Sequence, residues 1–182
     1  GTWGLAGGIT FYKSPVHLDH VRIESSYGKH ALKIFAADFQ MRSVEIVSAQ
    51  SDMFDGEFVY GTIRDCDFHR CGRDAISLTG SDVKIENCRF GVIGDTCLSA
   101  GANSMVRMQN VVAEQAGIGV AANDLSTVEI ETFRLSIATS YGVVVNAKEP
   151  EHGPSTVRIR DLDLGECGED QFLVKRKSVL II

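Results

Sequence analysis

The stretch GRDAISLTGSDVKIENCRF, residues 72–90, decides the fold, because its short apolar runs fit neither an ordinary helix nor one long strand. Alternation runs through Ile76 and Leu78 and stops at a polar tetrapeptide. It resumes through Val83 and Ile85 and then stops again. Period-two alternation broken in this way predicts short strands joined by tight corners.

The same pattern recurs along the chain at intervals of 22 or 23 residues, with one longer step of 29 at the end. The first apolar row is Leu32, Phe54, Ile76, Leu98, Val120, Val143 and Phe172. The second row is Leu18, Met41, Ile63, Ile85, Met108, Ile130 and Ile159. The third row is Val21, Val44, Cys66, Cys88, Val111, Phe133 and Leu162. Each long step crosses residues 147–154, which we therefore interpret as an inserted loop.

A period of this length with short strands is typical of a solenoid. We predict an all-β protein, a single right-handed parallel β-helix of about seven coils with three short strands per coil. Equivalent strands stack about 4.8 Å apart, and the hand follows the general preference of parallel connections. We expect one domain over residues 1–182. Because the sequence opens at Gly1 without a methionine, we expect it to be a piece of a longer chain.

Two kinds of residue mark the corners of the predicted coils. One corner carries mostly small polar residues that tolerate left-handed backbone angles and bond to nearby main chain: His20, Ser43, Asp65, Asn87, Asn110, Thr132 and Asp161. The spacing explains these residues as turn formers rather than ligands. The other corner carries glycines, for which we predict positive φ: Gly28, Gly72, Gly94, Gly117 and Gly168.

Composition limits the classes of partner. The net charge of −6 argues against non-specific nucleic-acid binding and against anionic membrane surfaces. No apolar run approaches the ~20 residues that a membrane span needs. We therefore predict neither a nucleic-acid partner nor a membrane span.

The five cysteines fit the predicted core, where a free thiol behaves as a small apolar group. Metal binding by Cys66, Cys71 and Cys88 is the alternative, although zinc sites usually contain closely spaced cysteine pairs. A Cys66–Cys88 disulfide is within reach in distance, but stacked parallel strands are a poor geometry for one.

Several repeat units carry a family resemblance. They are residues 8–12, 51–58, 72–81 and 117–126, with sequences GITFY, SDMFDGEF, GRDAISLTGS and GIGVAANDLS. These units resemble the right-handed β-helix repeats of pectate-lyase-like proteins. More narrowly, they are similar to the β-helix region downstream of CotH-kinase-like domains in some secreted or envelope proteins. The resemblance implies the fold and a secreted or cell-envelope location, and it implies no particular activity.

Because enzymes occur on this fold, we looked for their chemistry. The Gly-His-Gly and Arg-x-Lys segments of polygalacturonase-type hydrolases and the Asp-Pro-His-Asp segment of mannuronan epimerases are absent from the sequence. The candidate catalytic residues form one cluster on coils 2–3: Asp52, Asp55, Glu57, Arg73 and Asp74. A lyase, epimerase or hydrolase would use such carboxylates as an acid/base pair.

The same carboxylates have two other interpretations. Asp52, Asp55 and Asp74 could bind Ca²⁺ through oxygen ligands, although we predict no required cofactor. Alternatively, Lys33 forms a cross-strand ion pair with Asp55 from one coil away, and Arg73 offsets Asp74. His30 and His69 have no obvious nucleophile partner.

An outward row begins aromatic and turns polar: Tyr12, Phe35, Glu57, Thr79, Gly101, Asn123 and Asn146. Such a strip suits an extended glycan, with rings stacking on Tyr12 or Phe35 and hydroxyls bonding to Asp55, Glu57 and Asn123. The alternative is that Tyr12 and Phe35 pack against an adjoining domain.

Three functional hypotheses follow from these patterns. The first is a non-catalytic module that presents a lateral surface to carbohydrate or to an adjoining domain. The second is a polysaccharide-active enzyme that uses the acidic cluster. The third is a structural spacer of roughly 30–40 Å, at ~4.8 Å per coil.

Overall fold

The computed structural model describes residues 7–148 and 152–182, and these residues form 21 β-strands. The first strands of the coils are β1 (Gly7–Tyr12), β4 (His30–Phe35), β7 (Asp52–Glu57), β10 (Ile76–Thr79), β13 (Thr96–Gly101) and β20 (Asp170–Val174). The second strands are β2 (Val16–Asp19), β5 (Asp38–Arg42), β8 (Tyr60–Arg64), β11 (Asp82–Glu86), β14 (Met105–Gln109), β16 (Thr127–Ile130), β18 (Thr156–Ile159) and β21 (Val179–Ile181). The third strands are β3 (Arg22–Ile23), β6 (Glu45–Ala49), β9 (Asp67–Cys71), β12 (Arg89–Ile93) and β19 (Leu162–Cys167). The two remaining strands are β15 (Val111–Asn123) and β17 (Phe133–Asn146).

Every strand pairs in parallel with the equivalent strand of the next coil. The second strands form an eight-stranded sheet in the order β2-β5-β8-β11-β14-β16-β18-β21, so the solenoid has about eight coils rather than the predicted seven. The early coils have three separate strands each, as predicted. Later, β15 and β17 each run without a break from a third strand into the next first strand. These two long strands join the first and third faces into one 13-stranded sheet.

The predicted apolar rows are confirmed by the strand register. Ile76 pairs with Phe54 on one side and with Leu98 on the other. Val143 pairs with Phe172, so the lap containing the 29-residue step returns to the same row. Side chains one lap apart therefore pack directly above one another, and their rows form the core, with only the end members Leu18, Val21, Leu162 and Phe172 partly buried.

The polar corner between the second and third strands is confirmed for its first five members. His20, Ser43, Asp65, Asn87 and Asn110 have φ values of 51–54°. Their side chains also bond from coil to coil. Asn87 Nδ2 donates to Asp65 Oδ1 at 3.0 Å, and Asn110 Nδ2 donates to Asn87 Oδ1 at 2.9 Å. Through this ladder, the polar side chains of successive coils serve as hydrogen-bond partners for one another.

The prediction for the glycine corner is wrong in its reason. None of the five predicted glycines, Gly28 included, has positive φ, since the only positive-φ glycines among the described residues are Gly80 and Gly153. Instead, at Gly72, Gly94, Gly117 and Gly168 the stacked backbones approach too closely for a side chain. A Cβ on Gly94 would lie 2.3 Å from the carbonyl oxygen of Gly72. Close packing therefore selects glycine at this corner.

A third corner, between the first and second strands, gave no clear signal in the sequence. Its residues share left-handed backbone angles, with φ of 49–58°, although their types differ: Lys13, Ala36, Phe58, Gly80, Ala102 and Asp124. Beside it runs a buried serine ladder. Ser104 Oγ accepts from the Ser81 amide at 3.2 Å, and Ser126 Oγ accepts from the Ser104 amide at 3.1 Å. These hydroxyls satisfy amides that the bend removes from the sheets.

All five cysteines are free, and four of them are buried. Burial raises the pKa of Cys71 to about 12 and holds the pKa of Cys97 above its usual range. Thiols in this state pack as apolar groups, as predicted.

The predicted insertion at 147–154 is described in part, since residues 149–151 lie outside the described residues. At one end of it, the Lys148 amide donates to Asp124 Oδ1 at 2.7 Å. At the other end, His152 Nδ1 lies 3.4 Å from the same oxygen. Asp124 thus ties the insertion to the preceding coil.

Close stacking at the glycine corner yields a stability test. Gly94→Ala would place a methyl group against the Gly72 carbonyl, and we expect it to lower the free energy of unfolding by about 2–3 kcal/mol. The matched control is Gly101→Ala, because a Cβ there would meet nothing closer than the Leu78 carbonyl oxygen at 3.9 Å. Urea unfolding measures both variants. Equal losses would contradict the close-approach explanation.

Candidate functional site

The first strands hold the predicted site residues, and their regular alternation starts only after the corner. In β7, Met53 and Phe54 are both fully buried although they are consecutive, and Ala31 and Leu32 are buried in the same way in β4. The register keeps its offset across this pair, from His30↔Asp52 to Leu32↔Phe54. Because two consecutive side chains point into the core, Asp52 on one side of the pair and Asp55 on the other both contact His30.

Aromatic rings stack along one edge of the face that the first strands form. The Tyr12 and Phe35 rings are parallel with centroids 5.3 Å apart, and the Phe58 ring meets Phe35 edge-on at 5.8 Å. Lys13 Nζ lies 5.3 Å from the Tyr12 ring centroid. We call Tyr12, Phe35 and Phe58 the aromatic ledge. Tyr12 and Phe35 were predicted, whereas Phe58 was missed because it lies on the corner beyond β7 rather than in the strand row.

The predicted ion pair between Lys33 and Asp55 is confirmed. Lys33 Nζ lies 2.5 Å from Asp55 Oδ2 and also bonds to Glu57. The two carboxylates keep the pKa of Lys33 above its usual value against the opposing effect of burial. Asp55 and Glu57 are therefore engaged by one ammonium group.

His30, for which the sequence gave no partner, lies between two carboxylates. Its Nδ1 is 3.2 Å from Asp52 Oδ2, and its Nε2 is 3.5 Å from Asp55 Oδ2. The Nδ1 contact lacks hydrogen-bond geometry, so this buried nitrogen has no hydrogen-bond partner. His30 covers the carboxylates from the side of coil 1.

Asp52 and Asp74 serve the backbone of the next coil. Asp52 Oδ1 accepts from the Asp74 amide at 3.3 Å, and Asp74 Oδ1 accepts from the Thr96 amide at 3.2 Å. Burial opposes the ionisation of Asp52, but His30 and the Asp74 amide outweigh it and keep the pKa of Asp52 low. Burial, with the charges of Asp95 and Asp52, raises the pKa of Asp74 to about 6. The charge of exposed Arg73 lowers the pKa of Asp74, but its effect is smaller than that of burial and the two neighbouring carboxylates.

The four carboxylates of the predicted cluster lie on neighbouring coils but differ in accessibility. Asp55 was expected to point into solvent, yet it is 5% exposed and Asp52 is 6% exposed. Lys33 and His30 cover them, and their oxygens already have partners. Glu57 and Asp74 remain half-buried. An acid/base pair must contact its substrate, and this face presents Glu57 and Asp74 more openly than the other two.

Calcium would need several of these oxygens at once. Within the part of the chain that the structure describes, no three His, Cys, Asp or Glu side chains form a group that could hold a metal ion. Asp55 bonds to Lys33, and Asp52 and Asp74 each accept a hydrogen bond from a backbone amide. Calcium binding by these three carboxylates stays a prediction, and it would require their oxygens to exchange these partners for the ion.

The far end of the predicted polar strip is closed. Asn123 pairs with Asn146 on the next coil, as the row predicts, but its side chain is buried. It was expected to bond to a ligand hydroxyl and is not available for that. Ser77, Ser99 and Thr79 are half-buried along the middle of the strip. The accessible part of the strip is its aromatic end.

Comparison with known proteins supports the fold. Residues 7–161 match the family described as the right handed beta helix region. The chain belongs to this family, whose description also carries the predicted hand. No curated protein and no solved structure matches the chain. The described residues contain no helix of the length and apolarity needed to cross a membrane.

The raised pKa of Asp74 makes stability depend on pH. Because that pKa moves from an ordinary 3.8 to about 6 on folding, the contribution of Asp74 to stability is complete below pH 3.8. It is lost as the pH rises through 6. Asp74→Asn keeps an oxygen for the Thr96 amide and removes the charge.

We expect the free energy of unfolding of Asp74→Asn to exceed that of the wild type by about 2–3 kcal/mol at a pH near 7.5. This advantage should disappear near pH 4. Urea unfolding at the two pH values measures it, with the exposed Asp38→Asn as control. If the difference in free energy of unfolding between variant and wild type is the same at both pH values, the raised pKa of Asp74 is refuted.

Proposed function

We propose that this protein is a non-catalytic β-helix module whose lateral surface binds carbohydrate at the aromatic ledge. The observation that carries the proposal is the run of three adjoining rings beside the Lys33–Glu57 pair, with Tyr12 and Phe35 stacked and Phe58 edge-on to Phe35. Sugar rings present C–H faces to aromatic rings, while their hydroxyls bond to charged and polar side chains at the edge.

Accessibility supports this choice within the ledge. About half of the surface of Tyr12 and of Phe58 faces solvent and is therefore open to a ligand. Successive coils place the rings about one strand spacing apart, so that together they form an extended platform rather than a closed pocket. Such a platform suits an extended chain of sugar rings.

The state of the carboxylates supports a binding role rather than catalysis. Asp52 and Asp55 are buried and engaged by His30, Lys33 and a backbone amide. In this arrangement they hold the face together and orient the two basic groups.

The surroundings of the module remain proposals of the same kind. We propose a secreted or cell-envelope location, from the resemblance to pectate-lyase-like repeats and to the β-helix region that follows CotH-kinase-like domains. An adjoining domain seated on the ledge is the alternative occupant, and a spacer with no ligand is the third hypothesis.

The ledge proposal predicts the behaviour of a single substitution. Tyr12→Ala removes the outermost ring, and we expect it to weaken binding of neutral oligosaccharides on a glycan array or by calorimetry about 3- to 10-fold. Tyr27→Ala is the matched control, since Tyr27 is an exposed tyrosine outside the ledge. If the wild type binds no glycan, the adjoining-domain or spacer hypothesis replaces this proposal.

A polysaccharide lyase, epimerase or hydrolase is the second candidate. It is favoured by the opposite pKa shifts of Asp52 and Asp74 on neighbouring coils, because an acid/base pair needs such separation. Uronic-acid polymers incubated with and without Ca²⁺ would give unsaturated products or new reducing ends. Loss of that activity in Asp55→Ala/Asp74→Ala would support this candidate, and its survival would exclude these residues.

A further inference from the structure

Phe58 occupies an unusual position for a large side chain. It lies on the left-handed corner with φ of 54°, where neighbouring coils place Ala36, Gly80 and Ala102. Because the residues of this corner share the same φ, the backbone angle belongs to the bend and not to Phe58. What distinguishes Phe58 is a large apolar ring that is 52% exposed at a position where the neighbouring coils carry small residues.

A pocket opens beside this ring. Phe58, Tyr60, Met105 and Leu125 supply its large wall side chains, the small residues Gly80 and Ala102 belong to the same lining, and the volume is about 430 Å³. This volume lies in the range of roughly 300–1,000 Å³ that is typical of small-molecule sites. All four wall side chains are exposed. Contiguous exposed apolar groups of this kind mark binding surfaces.

The polar lining indicates the class of ligand. Asp82, Asn103 and Thr127 line the same pocket and supply carboxylate, amide and hydroxyl groups that bond to hydroxyls. Asp82 is the charged residue of the lining, and the next coil holds it through Arg107 at 3.2 Å. Arg107 also lies 3.0 Å from Met105 Sδ, but its charge is already balanced by Asp82, and among the described residues the lining offers no unpaired cation that would select a uronate or sulfate group. Aromatic walls with hydroxyl-bonding groups suit a neutral sugar.

The pocket is continuous with the aromatic ledge, since Phe58 belongs to both. We propose that this corner pocket, formed by Phe58, Tyr60, Gly80, Met105 and Leu125, binds one neutral pyranose ring as a second subsite of the glycan surface. The inference rests on the proposed carbohydrate-binding function and adds to it a ligand class and a path around the corner onto the second sheet.

Methionine methyl groups provide a site-specific test. Of the four methionines, Met105 is 41% exposed and lines the pocket, whereas Met41, Met53 and Met108 are at most 1% exposed. In protein labelled with ¹³C at the methionine methyl groups, we expect cellohexaose, xylohexaose or mannohexaose to shift the Met105 resonance alone. Trigalacturonate at equal concentration serves as the charged probe and should shift it less.

Two substitutions locate the binding ring. Tyr60→Ala should weaken the oligosaccharide affinity about 3- to 10-fold. Gly80→Ala should abolish the Met105 shift, because its Cβ would lie 2.8 Å from the Phe58 ring and displace that ring from its place in the pocket lining. The backbone tolerates alanine there, since Ala36 and Ala102 have the same φ on this corner. Unchanged resonances of the three buried methionines verify folding, and Tyr27→Ala should behave as the wild type.

The outcomes separate the two proposals. If the oligosaccharides bind and Tyr12→Ala weakens them while Met105 does not shift, the corner pocket is refuted and the ledge stands. If Met105 shifts and Tyr12→Ala has no effect, the pocket stands and the ledge is refuted. A stronger shift with trigalacturonate overturns the charge argument, and an absence of binding by every probe overturns both proposals.

Discussion

In-register stacking of the backbone, one coil directly above the next, is the constraint on which the rest of the structure depends. It places Phe54, Ile76 and Leu98 in one buried row and brings the Gly94 backbone against the Gly72 carbonyl. Each polar group at a bend then has to find its partner one lap away, because the sheets no longer supply one. The asparagine ladder at Asn87 and the serine ladder at Ser104 meet this requirement on two different corners.

The same requirement accounts for the contacts of the carboxylates on the first-strand face. Asp52 and Asp74 accept backbone amides from the following coil, and Asp55 is held by Lys33 from the preceding one. Groups of this kind stabilise the stack and are costly to release, since a buried carboxylate without its partners is strongly unfavourable. The aromatic rings are under no such demand. They lie at the edge of the face, where stacking leaves their surfaces open.

Periodicity predicted the fold well, because residues one lap apart must share an environment and therefore share a residue type. It also predicted the Lys33–Asp55 pair, which follows from register alone. It could not predict the burial of Asp55, which depends on how His30 and Lys33 fold over it, nor the burial of Asn123. For the glycine corner the sequence identified the positions but not the cause, because positive φ and close approach both select glycine. Phe58 was missed since the left-handed corner that carries it accepts lysine, alanine, glycine and aspartate equally.

That indifference to side-chain type has a consequence for how such a molecule can change. At the corner of Lys13, Ala36, Phe58, Gly80, Ala102 and Asp124, the main chain holds its own bend whatever side chain is attached. Each lap therefore contributes one outward slot, at a fixed interval of about 4.8 Å along the axis, whose chemistry can be rewritten without disturbing the interior. Substitutions at this corner therefore change the side chains presented at regularly spaced positions, so that new recognition properties can arise there one coil at a time.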